Sequence, residues 1–220
     1  MMVSGKELIA RRIAKELQDG QIVNLGIGLP TMVANYLPKD VEIFLQSENG
    51  FIGIGPTPPE GQHDKDLINA GNQFVTIKPG GSFFDSAVSF GIIRGGHVDI
   101  TVLGTLEVDS EGNIASYIIP GKLIAGMGGA MDLCTGAKKV IIATTHTDKH
   151  GKPKILKKCR LPLTACKEAN IIVSDMAFIE RTEAGLVLRE IAPDTTVENV
   201  LSKTEADLII PPDGVKTMSV

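Results

Sequence analysis

The sequence has no apolar run near membrane-spanning length, which argues against a transmembrane helix. It has no dense basic block either. Twenty-two Lys and Arg stand against 26 Asp and Glu, a formal net charge of −4, so nucleic acid and anionic membranes are poor partners. The locally basic stretch Lys152 to Arg160 is interrupted by apolar residues and reads as a solvated strand or loop. Cys134, Cys159 and Cys166 are odd in number and lack C-x-x-C spacing, which speaks against a disulfide framework or a zinc site, and no metal is expected. Met1 to Lys6 lacks the apolar core of a secretory leader. Cysteine usage and this segment together point to a reducing, cytoplasmic setting. Tryptophan is absent and tyrosine occurs twice, whereas there are 24 glycines and 12 prolines. The glycines cluster at expected strand ends, where α/β proteins bring backbone close to a ligand.

Ser4-Gly5-Lys6-Glu7 has capping-box spacing, and Ile9, Ile13 and Leu17 recur on one helical face that Gly20 ends. A strand is expected over Gln21 to Leu25, a second helix from Pro30 to about Tyr36, and a strand over Val41 to Gln46. Strand, helix, strand in that order implies a parallel pair with a right-handed crossover. Further strands are expected at Phe74–Lys78, Val98–Leu103, Lys139–Ala143, Ile171–Ser174 and Leu208–Ile210. Phe84 to Ile93 and Val197 to Leu201, the latter capped by Asp194, read as helices, and a hairpin turns at Glu183-Ala184-Gly185. The alternation predicts one α/β domain over residues 1–220, with a largely parallel central sheet flanked by helices.

Glu48 follows the strand ending at Gln46, inside Ser47-Glu48-Asn49-Gly50, and precedes the glycine-rich apolar segment Phe51 to Pro56. Ligands of open α/β sheets sit at the carboxyl ends of strands. A carboxylate pressed there against apolar backbone loses hydration and gains reactivity or a raised pKa. Asn24-Leu25-Gly26-Ile27-Gly28 ends the preceding strand, and Gly126-Met127-Gly128-Gly129-Ala130-Met131-Asp132 precedes a short helix. Both offer amides suited to carbonyl oxygens and phosphates.

Leu45-Gln46-Ser47-Glu48-Asn49-Gly50, with Asn-Leu-Gly-Ile-Gly upstream and Gly-Met-Gly-Gly-Ala-Met-Asp downstream, resembles class I coenzyme A transferases. The match is to the B-type chain of the acetate/butyrate–acetoacetate enzymes and to the C-terminal half of fused succinyl-CoA:3-oxoacid transferases. It runs from Ile13 to about Ile209. The resemblance implies CoA exchange between short-chain acids, acetoacetate with acetate or butyrate, through a covalent glutamyl-CoA thioester on Glu48. It makes Asn24, Gly129 and Ala130 donors to the developing oxyanion, and brings Gly26, Gly28 and Gly128 against the coenzyme. CoA is a substrate here, and no prosthetic group is expected. An A-type partner subunit in an A2B2 assembly is implied. Two positions depart from the family pattern. Asn72 follows Asn69-Ala70-Gly71 where relatives often carry Lys, and Ser116-Tyr117 stands where Asn-Trp is common.

Two other functions remain open to the sequence: a thioester hydrolase on the same scaffold, and a non-catalytic ligand-sensing domain. His146 and His150, at i and i+4, read as an exposed loop because Gly151 and Pro153 follow. His97 reads as a structural turn residue, and Cys134 as a small packed side chain. Gly26-Ile27-Gly28 lacks the third glycine of a dinucleotide fingerprint.

Overall fold

The computed structural model describes residues 4–219; residues 1–3, the start of the segment Met1 to Lys6, and residue 220 lie outside it. The chain opens with α1 (Gly5–Ala14), β1 (Ile22–Leu25), a 3₁₀ helix (Leu29–Tyr36), β2 (Phe44–Ser47), β3 (Phe51–Ile54) and β4 (Ile77–Phe83). It continues through α2 (Ser86–Arg94), β5 (Ile100–Leu103), β6 (Glu107–Asp109), β7 (Ile114–Ala115), β8 (Ile118–Ile119), β9 (Leu123–Ile124) and α3 (Ala130–Gly136). Then come β10 (Lys139–Ala143), β11 (Ile155–Leu156), β12 (Ile171–Val173), β13 (Ala177–Thr182), β14 (Gly185–Ile191), α4 (Val197–Ser202), β15 (Leu208–Ile209) and β16 (Lys216–Thr217).

Eleven strands form one sheet, ordered β15-β14-β13-β12-β10-β5-β1-β2-β3-β4, with β16 also beside β14. Its middle strands β12-β10-β5-β1-β2 are parallel, and antiparallel pairs β12-β13 and β2-β3 begin the flanks. This is the α/β architecture the sequence predicts. Strand alternation splits the core across the two faces. Val140, Ile142 and Ile172 pack with Ile93 of α2, Leu133 of α3 and Val200 of α4. Ile141, Ala143, Ile171 and Val173 point the other way, onto Ile9 and Ile13 of α1 and Val33 of the 3₁₀ helix. Burial on both faces explains why these strands are nearly continuous apolar runs. Each fully buried Ile contributes about 1.5–3 kcal/mol by leaving water. Ser4 caps α1 as its spacing predicts, with its Oγ accepting from the Glu7 amide at 3.3 Å. The Arg12 guanidinium ties α1 to the β13-β14 hairpin, donating to both Glu190 carboxylate oxygens at 2.7 and 3.0 Å over the Phe178 ring.

Several local readings change, beginning with α1, which ends at Ala14 rather than running on to Gly20. The second helix is 3₁₀ rather than α over its whole length, entered at Gly28 without a side-chain cap. Thr196, not Asp194, caps α4, accepting from the Asn199 amide. The strand expected over Phe74–Lys78 lies at Ile77–Phe83, on the sheet edge, and Pro79 falls where the pairing with β3 shifts register, between Ile77 and Ser82. His146 is buried, not exposed. Its Nδ1 meets Ser174 Oγ and its Nε2 meets Thr204 Oγ1, each at 2.8 Å. Lys154, in the basic stretch, is likewise drawn inward, its Nζ donating to Thr144 Oγ1.

Burial pushes the His146 pKa down from 6.5 to about 4. In that window the unfolded chain takes up a proton that the folded chain refuses. Stability from this group is therefore complete above pH 6.5 and falls as pH drops toward 4, by on the order of 3 kcal/mol. His146→Gln, less stable at pH 7, is expected to lose less stability than wild type between pH 7 and 4.5 in urea titrations. Equal losses would mean that His146 is not the titrating group.

Candidate active site

β1 has β2 on one side and β5 on the other, and the chain runs first to β2 and only later to β5. Such a reversal opens a crevice at the carboxyl ends of the strands. Asn24 is near the end of β1, and Glu48 stands in the turn just after β2. Asn24 Nδ2 donates to Glu48 Oε2 at 3.1 Å and to Gln46 Oε1 at 2.8 Å. On the other side of the carboxylate stands the turn before α3. A Cβ placed on Gly129 would lie 3.2 Å from Glu48 Cγ and 3.4 Å from its Oε1. One carboxylate oxygen therefore faces the Asn24 amide and the other faces glycine backbone.

The neighbours of Glu48 fix its turn. Ser47 Oγ accepts from the Ala70 amide at 3.0 Å, and Asn49 Nδ2 donates to the Ile68 carbonyl at 2.8 Å. Both bonds anchor the long β3–β4 connection, residues 55–76, beside the carboxylate. Gly50 has φ +132°, and a Cβ there would lie 2.3 Å from the Phe84 carbonyl oxygen, so the turn requires glycine. Within the connection His63 stacks on Phe74 with ring centroids 4.0 Å apart. Between this connection and the 3₁₀ helix lies a cleft of about 600 Å³ that reaches Glu48. Ile27, Met32, Leu45, Ile54, Phe74 and Val75 give it largely apolar walls.

The coenzyme A transferase family model matches residues 6–203. The chain belongs to the coenzyme A transferase family. It is 59% identical over 218 residues to the beta chain of the acetate CoA-transferase of Haemophilus influenzae, covering 99% of this chain and 97% of that one. It is 50% identical over 202 residues to the B-type chain of the succinyl-CoA:3-ketoacid coenzyme A transferase of Helicobacter pylori, covering 92% and 97%. Among solved structures, an acyl-CoA transferase apoenzyme of Escherichia coli O157:H7 superposes with a TM-score of 0.77 at 23% identity. That likeness bears on the fold, and this chain spans 44% of that longer one while being covered in full.

In this CoA-transferase the residues singled out from sequence do not all stand together. Asn24, Glu48 and Gly129 converge. Ala130 adjoins them, but its amide donates back to the Met127 carbonyl at 3.2 Å, closing the turn. Gly26 lines the cleft, and its amide donates to the Val102 carbonyl at 2.8 Å, which stitches β1 to β5. Gly28 and Gly128 are turn residues with φ of +83° and +54°. Cys134 is buried, and burial pushes its thiol pKa up to about 12, as a packed side chain requires. The sequence reading missed Gln46, whose Nε2 donates to Ser89 Oγ of α2 at 3.1 Å while its Oε1 serves Asn24. A polar residue inside an apolar buried strand is the signal that marks it.

Proposed function

We propose that this chain is the nucleophile-bearing B-type subunit of an enzyme that moves CoA between short-chain acids, acetoacetate paired with acetate or butyrate. The observation that carries the reading is the Glu48 carboxylate gripped at Oε2 by Asn24 and left open at Oε1 beside Gly129. Glu48 Oε1 attacks the donor thioester carbonyl, and collapse of the tetrahedral adduct expels CoA thiolate and leaves an acyl–glutamyl anhydride. The thiolate then attacks Glu48 Cδ, the donor acid departs as carboxylate, and Glu48 holds CoA as a thioester. An acceptor carboxylate runs the same steps in reverse. No water or net proton is consumed, and the thioester's energy is retained throughout.

The two sides of the carboxylate suit different steps. When the donor carbonyl is attacked, its oxyanion forms near Gly129, whose backbone amide is the candidate donor there. When the thiolate attacks Glu48 Cδ, the developing oxyanion is Glu48 Oε2 itself, already 3.1 Å from Asn24 Nδ2. That donor is preorganised for the charge it meets. Both intermediates are open to hydrolysis, so apolar cleft walls and the Gly26, Gly28 and Gly128 turns serve to hold CoA and exclude water.

The relatives carry B or beta designations, which supports an A-type partner in an A2B2 assembly with a shared site. Three free thiols fit a cytoplasmic setting. Co-expressed with that partner, the enzyme is expected to convert acetoacetyl-CoA plus acetate or butyrate into the new acyl-CoA, with little free thiol released. Each chain alone should be nearly inactive. Thiol release independent of any acceptor would make it a hydrolase, and transfer to succinate alone would replace the acid pair.

A further inference from the structure

Three neighbouring strands each carry one buried polar residue in the same row. Gln46 of β2 lies opposite Asn24 of β1, and Asn24 lies opposite Thr101 of β5. Ser89 of α2 closes over Gln46. None of the four is more than 2% exposed. Beyond Thr101 the row turns apolar again at Val140 of β10. Polar groups buried in an otherwise apolar sheet cost stability unless each finds a partner.

Two atoms of this row lack one: Asn24 Oδ1 and Thr101 Oγ1. They belong to residues paired directly across adjacent strands, on the same face. A hydroxyl donates to a carboxamide oxygen, so the two unmet needs are complementary. A rotation of the Thr101 side chain, or one buried water spanning the pair, satisfies both. The need is specific to orientation. A carboxamide fits its cavity equally well when turned over, with nitrogen and oxygen exchanged. Turned over, Asn24 would aim its oxygen at Gln46 Oε1 and Glu48 Oε2, both acceptors. Gln46 already accepts from Nδ2, and a Thr101 hydroxyl turned to donate to Oδ1 would select the same productive orientation from the opposite side.

We infer that Thr101 and Gln46 are positioning residues of the transfer reaction, forming a cross-strand row that locks the Asn24 carboxamide with its N–H on Glu48. They touch neither acid nor coenzyme. The inference rests on Glu48 being the nucleophile. In the enzyme assembled with its partner subunit, Thr101→Val keeps the shape and removes the hydroxyl. Its kcat is expected to fall about tenfold, as small misplacements of catalytic groups do, with KM for acyl-CoA unchanged and Tm no lower. Thr101→Ser, which restores the donor, is expected to recover most of that loss. Gln46→Leu is expected to show the same kcat-specific loss. Wild-type kcat in Thr101→Val, an equal loss in Thr101→Ser, or a change confined to KM would each overturn the inference. Glu48→Gln run alongside separates the two failures. An inactive Glu48→Gln with a fully active Thr101→Val removes only the positioning row, whereas an active Glu48→Gln removes the nucleophile as well.

Discussion

Glu48→Gln, in the assembled enzyme, is expected to lower CoA transfer at least about 10⁴-fold while leaving Tm within a few degrees. The amide keeps the side chain's shape but cannot form an anhydride and release it as carboxylate. Stability should be spared because Glu48 is a turn residue whose side chain accepts a bond from Asn24, and a carboxamide oxygen can still accept it. Glu48→Asp gives a sharper test of geometry. It keeps the nucleophile but withdraws it by one methylene from the contact with Gly129 and from the cleft. A displacement of about 1 Å is enough to cost roughly 100-fold. Steady-state transfer between acetoacetyl-CoA and acetate measures both variants, and a Gln variant near wild-type rate would contradict the reading.

Asn24→Ala is the second large effect, a fall of about 10²–10³ in kcat, the typical loss when one oxyanion donor is removed. Here stability also suffers. Asn24 is buried, and its loss strands Gln46 Oε1, a penalty of about 1–3 kcal/mol. Asn24→Asp separates the two effects. It fills the same space but sets a second carboxylate beside Glu48, where the amide now stands at 3.1 Å. Two such acids share a proton, so one pKa rises. Transfer by this variant should therefore fall as pH rises through that raised value, because ionising the pair removes the proton that residue 24 would donate to the Glu48 oxyanion. A flat pH–rate profile for Asn24→Asp would show that residue 24 does not face the reacting carboxylate.

Glu48 was legible as a candidate nucleophile because Ser47-Glu48-Asn49-Gly50 combines a strand end with a turn that requires glycine. The hairpin β13-β14 was legible for a similar reason, since Gly185 separates two polar-flanked apolar runs. Other features depend on partners remote in sequence. His146 looks like a loop residue until Ser174 and Thr204, 28 and 58 positions away, close around its ring. Phe74 and Val75 have strand composition, yet they fold back toward Leu67 and Ile68 to wall the cleft, because the edge pairing with β3 is taken by the segment Ile77–Phe83. The polar row was visible only in pieces. Asn24, Gln46 and Thr101 each interrupt an apolar strand, but only the spatial order β2-β1-β5, which differs from chain order, brings them side by side.

The central claim is that Glu48 itself becomes the carrier of CoA. Both chains of the enzyme incubated with acetoacetyl-CoA and no acceptor, then quenched, digested and analysed by intact-peptide mass spectrometry, test it directly. The account predicts the mass of one CoA, less water, on the peptide bearing Glu48, removed on adding acetate and missing from Glu48→Gln. CoA bound covalently to any other residue, or turnover with no adduct on Glu48 at any time point, would contradict it.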